Sequence, residues 1–510
     1  MYKVRVLQEI NDRLDAEYYN PAALSTLKKM ETKGTVTTFG DLVDEGYRVV
    51  YHGTDSINGL KDSEVLPFLS PTQIDANGSI NFEDADKLPL YYKDQYPKGL
   101  GKAGEILVEV KGNVSKVGIV PSAFPKNLMI SGSLYKATLN PRRVDSHYVL
   151  AFLKSKHGQI LKNRLTSNTI INYIAKDALY SIPVIELKEK AQKYIGDKIR
   201  QAEQLRAWAK SIQLKVSELL PSYINEIQRY KAKCYRAKDI IPERLDSLFY
   251  HPDYSGLESK MKAKGCKRLG LITKQVKDAW NKKKAEAFEY YEIGGLDITT
   301  GQVLSATTPT AGAPSRAKTK VQQGDVLVST VRPNRKNIGF IVDNVAHSEM
   351  VATSGFSVLR FSSLTQAAFY HAWLRTDDAT AQLMRWNSGS AYPAIDDDVP
   401  LNIIIPDFEK TFVDNWGQKL LDAHFAYVYA KMLTEAAKIL VEALIEGQLA
   451  EQQLIQAQQA LEDGDNSLDQ AILSKLSAEG YAIEGATPLF SDVDELYSLL
   501  EEAAQAEAEE

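Results

Sequence analysis

Two kinds of hydrophobic run alternate along this chain, and each kind occurs twice. In the first kind, mostly apolar residues follow one another at three- and four-residue steps: Ile195, Ile199, Ala202, Leu205, Ala209, Ile212, Val216 and Leu219, and later Val413, Trp416, Leu420, Ala423, Tyr427, Ala430, Thr434, Ala437, Val441 and Leu444. That period lays one stripe along a helix, and its heptad character predicts a seam between helices. The helical stretches, residues 194–220 and 415–447, correspond to roughly 40–50 Å at 1.5 Å per residue. Helices of that length pair with each other more readily than each packs on a globular domain alone. The second kind of run is short and β-type. GEILVEV (residues 104–110) and GDVLVST (residues 324–330) each place a glycine and an acid before an apolar strand, the signature of a turn into a sheet. VGIV (residues 117–120) and IGFIV (residues 338–342) follow as the next strands.

These pairs belong to one large repeat. DRLDAEYYNP (residues 12–21) returns as ERLDSLFYHP (residues 243–252), and each is followed by a Lys-rich helical stretch, residues 23–34 and 255–265. SNTIINYIAKDALYSIPV (residues 167–184) faces SGSAYPAIDDDVPLNIIIP (residues 388–406). Ile174 and Ile395, Asp177 and Asp398, and Gly196 and Gly417 all match at an offset of 221. Between the RLD phrase and the glycine-acid turn, however, the first half has 91 residues (Arg13 to Gly104) and the second has 80 (Arg244 to Gly324). A repeated frame with differing interiors suits two recognition surfaces with different targets; duplication followed by drift leaves the same trace. The prediction is a mixed α/β chain with two tandem globular domains, each closing with a long helix.

Composition places the chain among soluble globular proteins, with 44% apolar and 25% charged residues. No apolar run approaches the ~20 residues that span a bilayer, and the N-terminus lacks a signal-peptide block, so no membrane association is expected. Two cysteines, Cys234 and Cys266, build neither a disulfide framework nor a thiolate metal site, and a reducing, cytoplasmic setting fits them. The net charge of −5 conceals an asymmetry: residues 451–510 hold fifteen acidic residues against Lys475, or −14, while residues 1–450 carry 60 basic and 51 acidic residues, or +9. A mildly basic body attracts polyanions.

Catalytic signatures are missing. There is no P-loop, no HExxH, no Cys/His metal spacing and no GxSxG elbow. GLGKAG (residues 99–104) fits GxGxxG formally, but a strand rather than a helix opens after it. The three acids of IDDDV (residues 395–399) face a single acid in IAKDA (residues 174–178), so a solvated helix N-terminus accounts for them better than a shared metal site. What remains are basic, polar and aromatic loops. In the first half they span residues 46–59, 91–102, 110–116 and 164–173; in the second, 278–284, 308–320, 331–337 and 385–393. Such side chains meet phosphates and base edges.

At APSRAKTKVQQGDVLVSTVRPNRKNIGFI (residues 313–341) the sequence resembles the specificity subunit of type I restriction–modification systems. LPFLSPTQIDANGSINF (residues 66–82), YYEIGGLDITTGQVL (residues 290–304) and the GSAYPAI segment before the closing strand extend the likeness over nearly all of residues 1–450, in two tandem copies. The resemblance implies two α/β target-recognition domains (residues 1–185 and 243–406). Two long spacer helices (residues 186–242 and 407–460) would form an antiparallel coiled coil that acts as a ruler. It implies a subunit that is not itself catalytic. Each domain would read one part of a gapped double-stranded DNA target. Two modification subunits would methylate adenine N6 with S-adenosylmethionine, and restriction (motor-nuclease) subunits would join them; this chain would hold no cofactor. No [DNS]PP[FYW] methyltransferase motif is present.

Resemblance and loops together select Lys111, Asn113, Lys116, Asn168 and Tyr173 in the first domain as DNA-binding residues. In the second they select Arg316, Lys318, Arg332, Asn334, Arg335, Ser390 and Tyr392. Residues 461–510 lie outside the resemblance and read as an acidic extension. Leu489, Phe490, Leu496, Leu499 and Leu500 offer it a short docking helix, directed at a partner subunit or at the DNA channel. Two other readings stay open: a stand-alone DNA-modifying enzyme, and a scaffold or specificity subunit of a related defence system.

Overall fold

Gly104 and Gly324 mark the two places where the repeat is built most alike. In the computed structural model, which describes residues 16–166, 172–226, 234–242, 244–282, 285–342, 348–388 and 392–509, both take left-handed φ angles, 77° and 84°. Glycine adopts that conformation without a Cβ clash. The acid that follows turns inward in each case. Glu105 accepts from the Lys102 amide at 2.8 Å and from Lys136 Nζ at 2.8 Å. Asp325 accepts from the Gln322 amide at 2.9 Å and from Arg360 Nε and Nη2 at 2.7 and 2.8 Å. Both carboxylates are buried, so these partners replace the water each has lost.

From these turns start the central strands of two compact units. Unit 1 takes the chain up to Gln204 together with Tyr429–Gln505; unit 2 takes Leu205–Val428 and the last few residues. In unit 1 the strands of the two larger sheets are β1 (Val43–Tyr47), β2 (Val65–Leu69), β3 (Asp86–Pro89), β4 (Ile106–Glu109), β5 (Val117–Ile119), β6 (Met129–Ile130) and β7 (Leu134–Leu139). They form one sheet of order β1-β7-β4-β5 and another of order β3-β2-β6. In unit 2 the strands of the two larger sheets are β8 (Lys274–Gln275), β9 (Ala287–Leu296), β10 (Val303–Pro309), β11 (Ala317–Lys320), β12 (Val326–Ser329), β13 (Ile338–Phe340), β14 (Glu349–Thr353) and β15 (Phe356–Arg360). They form sheets of order β8-β15-β12-β13 and β10-β9-β14-β11. The pairing repeats strand for strand, including one parallel pair in each unit, β2 with β6 and β9 with β14. β11 is the addition in unit 2. The central strands β4 and β12 are buried at every position, which explains their unbroken apolar runs.

The proline of each RLD phrase opens a helix at its first position, where its missing N–H is harmless. These helices are Pro21–Lys33, capped by the Asn20 side chain, and Pro252–Ala263, capped by His251. In the second copy Arg244 donates to the carbonyls of Trp386 and Asn387, both at 3.1 Å, and Asp246 caps the Phe249 amide at 2.9 Å. The phrase thus fixes the entrance to the domain. Residues 12–15 of the first copy lie outside the described residues.

The two long helices are α1 (Glu189–Leu219) and α2 (Lys410–Glu446). The seam residues are buried, apart from Trp416, which is half-buried, and Leu219, which is exposed. Within unit 2 the helices meet where Tyr427 Oη bonds Gln213 Oε1 at 3.2 Å. α2 also buries Leu421, Tyr429, Leu433, Ile439 and Leu440 away from that seam. A helix that is apolar on more than one side has more than one neighbour.

In unit 1 the additional neighbour is the C-terminal segment. α2 stops at Glu446, where Gly447 takes φ 77°, and residues 451–462 form a separate helix, α3 (Glu451–Glu462). After it come α4 (Ser467–Leu473) and α5 (Val493–Glu509). Asp469 of α4 is buried against α1, with Lys198 Nζ 2.7 Å from one oxygen and the Tyr194 hydroxyl at 2.5 Å. Tyr497 of α5 donates to the same carboxylate. Leu496 and Leu499 are buried, Leu500 is half-buried, and Phe490 stacks on Tyr429 with ring centroids 6.4 Å apart. The acidic extension is therefore packed into unit 1, with its apolar residues inward.

Candidate nucleic-acid interface

In unit 1 the candidate loop, residues 110–116, is the hairpin between β4 and β5. Its shape comes from below. Glu109, the last residue of β4, is 4% exposed and accepts the amides of Asn113, Ser115 and Lys116 at 3.1, 2.9 and 3.1 Å. Fully buried Lys162 donates to the Val114 carbonyl, and burial pushes its ammonium down to about 8. Gly112 and Val114 have φ of 122° and 55°. With the backbone of the loop held by buried groups, Lys111 and Asn113 are exposed and Lys116 half-exposed.

A two-residue ribbon then brings the distant end of the domain to this hairpin. Lys111–Gly112 pairs antiparallel with Asn172–Tyr173, with Lys111 opposite Tyr173. The sequence reading missed a third member, Arg48, just past β1. Its Nε donates to the Gly132 carbonyl at 2.7 Å, its Nη1 to the Tyr173 hydroxyl at 3.2 Å, and its Cζ lies 5.5 Å from the Tyr173 ring centroid. Lys111, Tyr173 and Arg48 therefore form one cluster. Asn168 lies outside the described residues.

Unit 2 places a corresponding cluster on the hairpin between β12 and β13. Val331 bridges Ala394, and the Ile395 amide bonds the Thr330 carbonyl at 2.9 Å. In unit 1 the Ile174 amide bonds the Val110 carbonyl at 3.0 Å. The same closing segment thus docks on the same hairpin in both units. Arg332 and Lys336 take left-handed φ angles of 52° and 53° on either side of the turn Pro333–Arg335. Non-glycine residues rarely adopt this conformation. Arg332 donates its amide to the Pro393 carbonyl at 2.7 Å, and its Cζ lies 4.9 Å from the Tyr392 ring. Asn334 and Arg335 are exposed on the same turn, and Lys336 pairs with Asp377 at 2.7 Å. Arg316 joins through the backbone: its carbonyl accepts from Ser354 at 2.8 Å, and the next residue, Gly355, accepts from Thr330 at 2.9 Å. Lys318 sits apart on β11, its carbonyl bonded to the Trp280 amide at 2.7 Å. Ser390 lies outside the described residues.

Among the described residues no carboxylate pairs with Arg48, Arg332, Arg335, Arg316 or Lys318. Each cluster thus presents cations, amide groups and aromatic rings, which is the equipment for phosphates and base edges. Also among the described residues, no group of three His, Cys, Asp or Glu could hold a metal ion, and no helix is long and apolar enough to cross a membrane.

The chain matches no protein-family model and no curated protein. Among solved structures it is similar to the S subunit of the type I restriction–modification system from M. genitalium, at 15% identity over 81% of this chain and 95% of that chain, with a TM-score of 0.37. It is similar to the HsdS subunit from Thermoanaerobacter tengcongensis at 13% identity over 81% and 97% of the two chains, with a TM-score of 0.27. A chain from a structure describing complex assembly and conformational transition of the type I R-M system aligns at 12% identity over 81% and 98%, with a TM-score of 0.28.

Proposed function

We propose that this chain is the DNA-recognition subunit of a type I restriction–modification complex. In this reading each unit reads one part of a gapped duplex target. The observation that carries it is the duplicated construction: one frame, used twice, sets a cation-bearing hairpin against a tyrosine-bearing closing segment. An enzyme needs one active site; a reader of two half-sites needs two equivalent surfaces with different side chains.

Unit 1 would contact DNA through Lys111, Asn113, Lys116 and Tyr173, together with Asn168. Unit 2 would use Arg316, Lys318, Arg332, Asn334, Arg335 and Tyr392, together with Ser390. Phosphate contacts supply affinity that falls with salt, and a few base-edge contacts, each worth roughly 1–3 kcal/mol, supply discrimination. α1 and α2 would pair as an antiparallel coiled coil and set the gap; linking two readers raises the effective concentration of the second. Adenine-N6 methylation by base flipping and DNA cleavage would fall to partner subunits, S-adenosylmethionine binding the modification subunit, in the cytoplasm.

The test is to co-express the chain with its cognate modification subunit in a methylation-free host and map N6-methyladenine across the genome. A two-part motif with a fixed gap is expected. A short continuous motif overturns the two-reader account. No methylation by a soluble complex overturns the function itself.

A further inference from the structure

Two pairs of arginines lie over aromatic rings in contrasting ways. Arg244 and Arg385 lie 4.7 and 4.3 Å from the Phe249 ring centroid, and each is neutralised: Arg244 by Asp246 at 2.8 Å, Arg385 by Glu258. These are structural pairs inside unit 2. Arg48 on Tyr173 and Arg332 on Tyr392 have no carboxylate partner among the described residues, although both are partly buried. Partial burial of an unpaired cation is unfavourable unless something else completes its shell. Both are also the arginines that the fold brings to the hairpin and closing segment of their unit.

We propose that Arg48 and Arg332 each read a guanine, one in each half of the target; this rests on the DNA-recognition reading above. The fold removes conformational freedom from both side chains in advance. Arg48 is held by the Gly132 carbonyl, the Tyr173 hydroxyl and the Tyr173 ring. Two of its five N–H donors are used, and Nη2 has no protein acceptor among the described residues. Arg332 is held by its own backbone, whose amide is bonded to Pro393, and by the Tyr392 ring. Its guanidinium donates to no acceptor among the described residues. A planar fork fixed at its base and open at its tip matches the paired acceptors O6 and N7 on the major-groove edge of guanine. Phosphate makes no such demand, since its oxygens accept a cation from many directions. The exposed Lys111 and Arg335 nearby suit that looser role.

The test uses the co-expressed complex and its methylation map. The wild type must first return a two-part motif; failure there is failure of the functional reading, and is seen before any variant is made. Each half of the motif should contain a specified guanine. Arg48→Lys keeps the charge and loses the fork. It should make that guanine degenerate in one half, lowering discrimination by about 5- to 150-fold, while the other half stays intact. Arg332→Lys should do the same in the opposite half. The unchanged half serves as an internal control for folding. The proposal is overturned by a half-site with no specified guanine, by an unaltered motif, or by uniform loss of methylation at all sites with the motif preserved, which marks a phosphate clamp. Tyr173→Phe keeps the ring and removes the hydroxyl acceptor. It should weaken the same guanine preference less than Arg48→Lys, and an equal or larger effect would assign the reading to the tyrosine instead.

Discussion

Unit 1 holds its part of α1 with a buried ion pair, whereas unit 2 packs its part of α2 through two imidazoles that burial keeps neutral. Lys198 and Asp469 are each 1% exposed, and the hydroxyls of Tyr194 and Tyr497 complete the carboxylate. Burial alone would raise the Asp469 carboxyl, but Lys198 and the two tyrosines overcome it and hold it below its ordinary range. In unit 2, His371 and His424 lie with centroids 5.1 Å apart beside Phe340, and Gln302 bonds the His424 carbonyl at 2.7 Å. Burial pushes both imidazoles down, His424 to about 3, with the Arg375 charge adding to the effect. A charged anchor closes only when every member is present, and here one member comes from the C-terminal segment. A neutral anchor needs nothing further but fails when protonated.

The largest expected effect is therefore in unit 1. Asp469→Ala leaves Lys198 charged, buried and alone, which costs roughly 3–5 kcal/mol. Hydrogen exchange should accelerate through α4, α5 and the adjoining turns of α1, with the helix Leu364–Leu374 of unit 2 unchanged. Protection that persists across α4 would mean the segment is held by its apolar residues alone.

The paired turns allow a second contrast, at equivalent positions. Glu105→Ala strands Lys136, which is 5% exposed, and should again cost roughly 3–5 kcal/mol. Asp325→Ala frees Arg360, whose side chain is 31% exposed and can reach water, so about 1 kcal/mol is expected, near the value of a surface pair. Urea unfolding of the two variants measures the difference. Equal losses would show that the frame, rather than the exposure of the partner, sets the energetics.

Acid should reverse the ranking of the units. Both buried imidazoles have folded values below the unfolded 6.5, so the unfolded state binds more protons. Their contribution is intact above pH 6.5 and is lost as pH falls below it, for His424 down to about 3. At pH 5.5 the His424 shift alone removes about 1.4 kcal/mol from unit 2, and His371 acts in the same direction. The lowered Asp469 carboxyl loses its contribution only below its unfolded value of 3.8. In unit 1, burial also lowers His157, but Glu446 at 2.9 Å opposes the shift. Exchange in the helix Leu364–Leu374 should rise between pH 6.5 and 5 while α4 stays protected, and His424→Leu should flatten that response.

How much of this is legible in the sequence depends on how far apart the partners lie. The turns at Gly104 and Gly324, the buried central strands and the two long helices are local patterns, and each appears where its period or its glycine places it. The repeat adds evidence because errors in one half are checked by the other. What the sequence does not reveal is pairing at a distance. Arg48 meets Tyr173 across 125 residues and Lys198 meets Asp469 across 271, and nothing in either neighbourhood announces the partner. The acidic count of the C-terminal segment also obscured its fold. Its carboxylates cover the outside, while Asp469, Leu496 and Leu499 turn inward. The candidate loops are legible as loops, yet Glu109 and Lys162, which shape one of them from beneath, read as ordinary strand and helix residues.

The smallest contrast tests whether the two turns are truly equivalent. Gly104→Ala and Gly324→Ala both force an L-residue into the left-handed region, at a cost of about 1–2 kcal/mol. A Cβ at Gly104 would enter open space, whereas at Gly324 it would meet the Leu364 side chain at the start of the helix that carries His371. That side chain is flexible and half-buried, so it can move, but the helix must adjust with it. Gly324→Ala should therefore cost up to about 1 kcal/mol more, and part of the excess should disappear in combination with Leu364→Ala. A double-mutant cycle isolates that coupling. Zero coupling, with equal single costs, would place the divergence of the units beyond the turn, in the differing lengths of chain between the RLD phrase and the central strand.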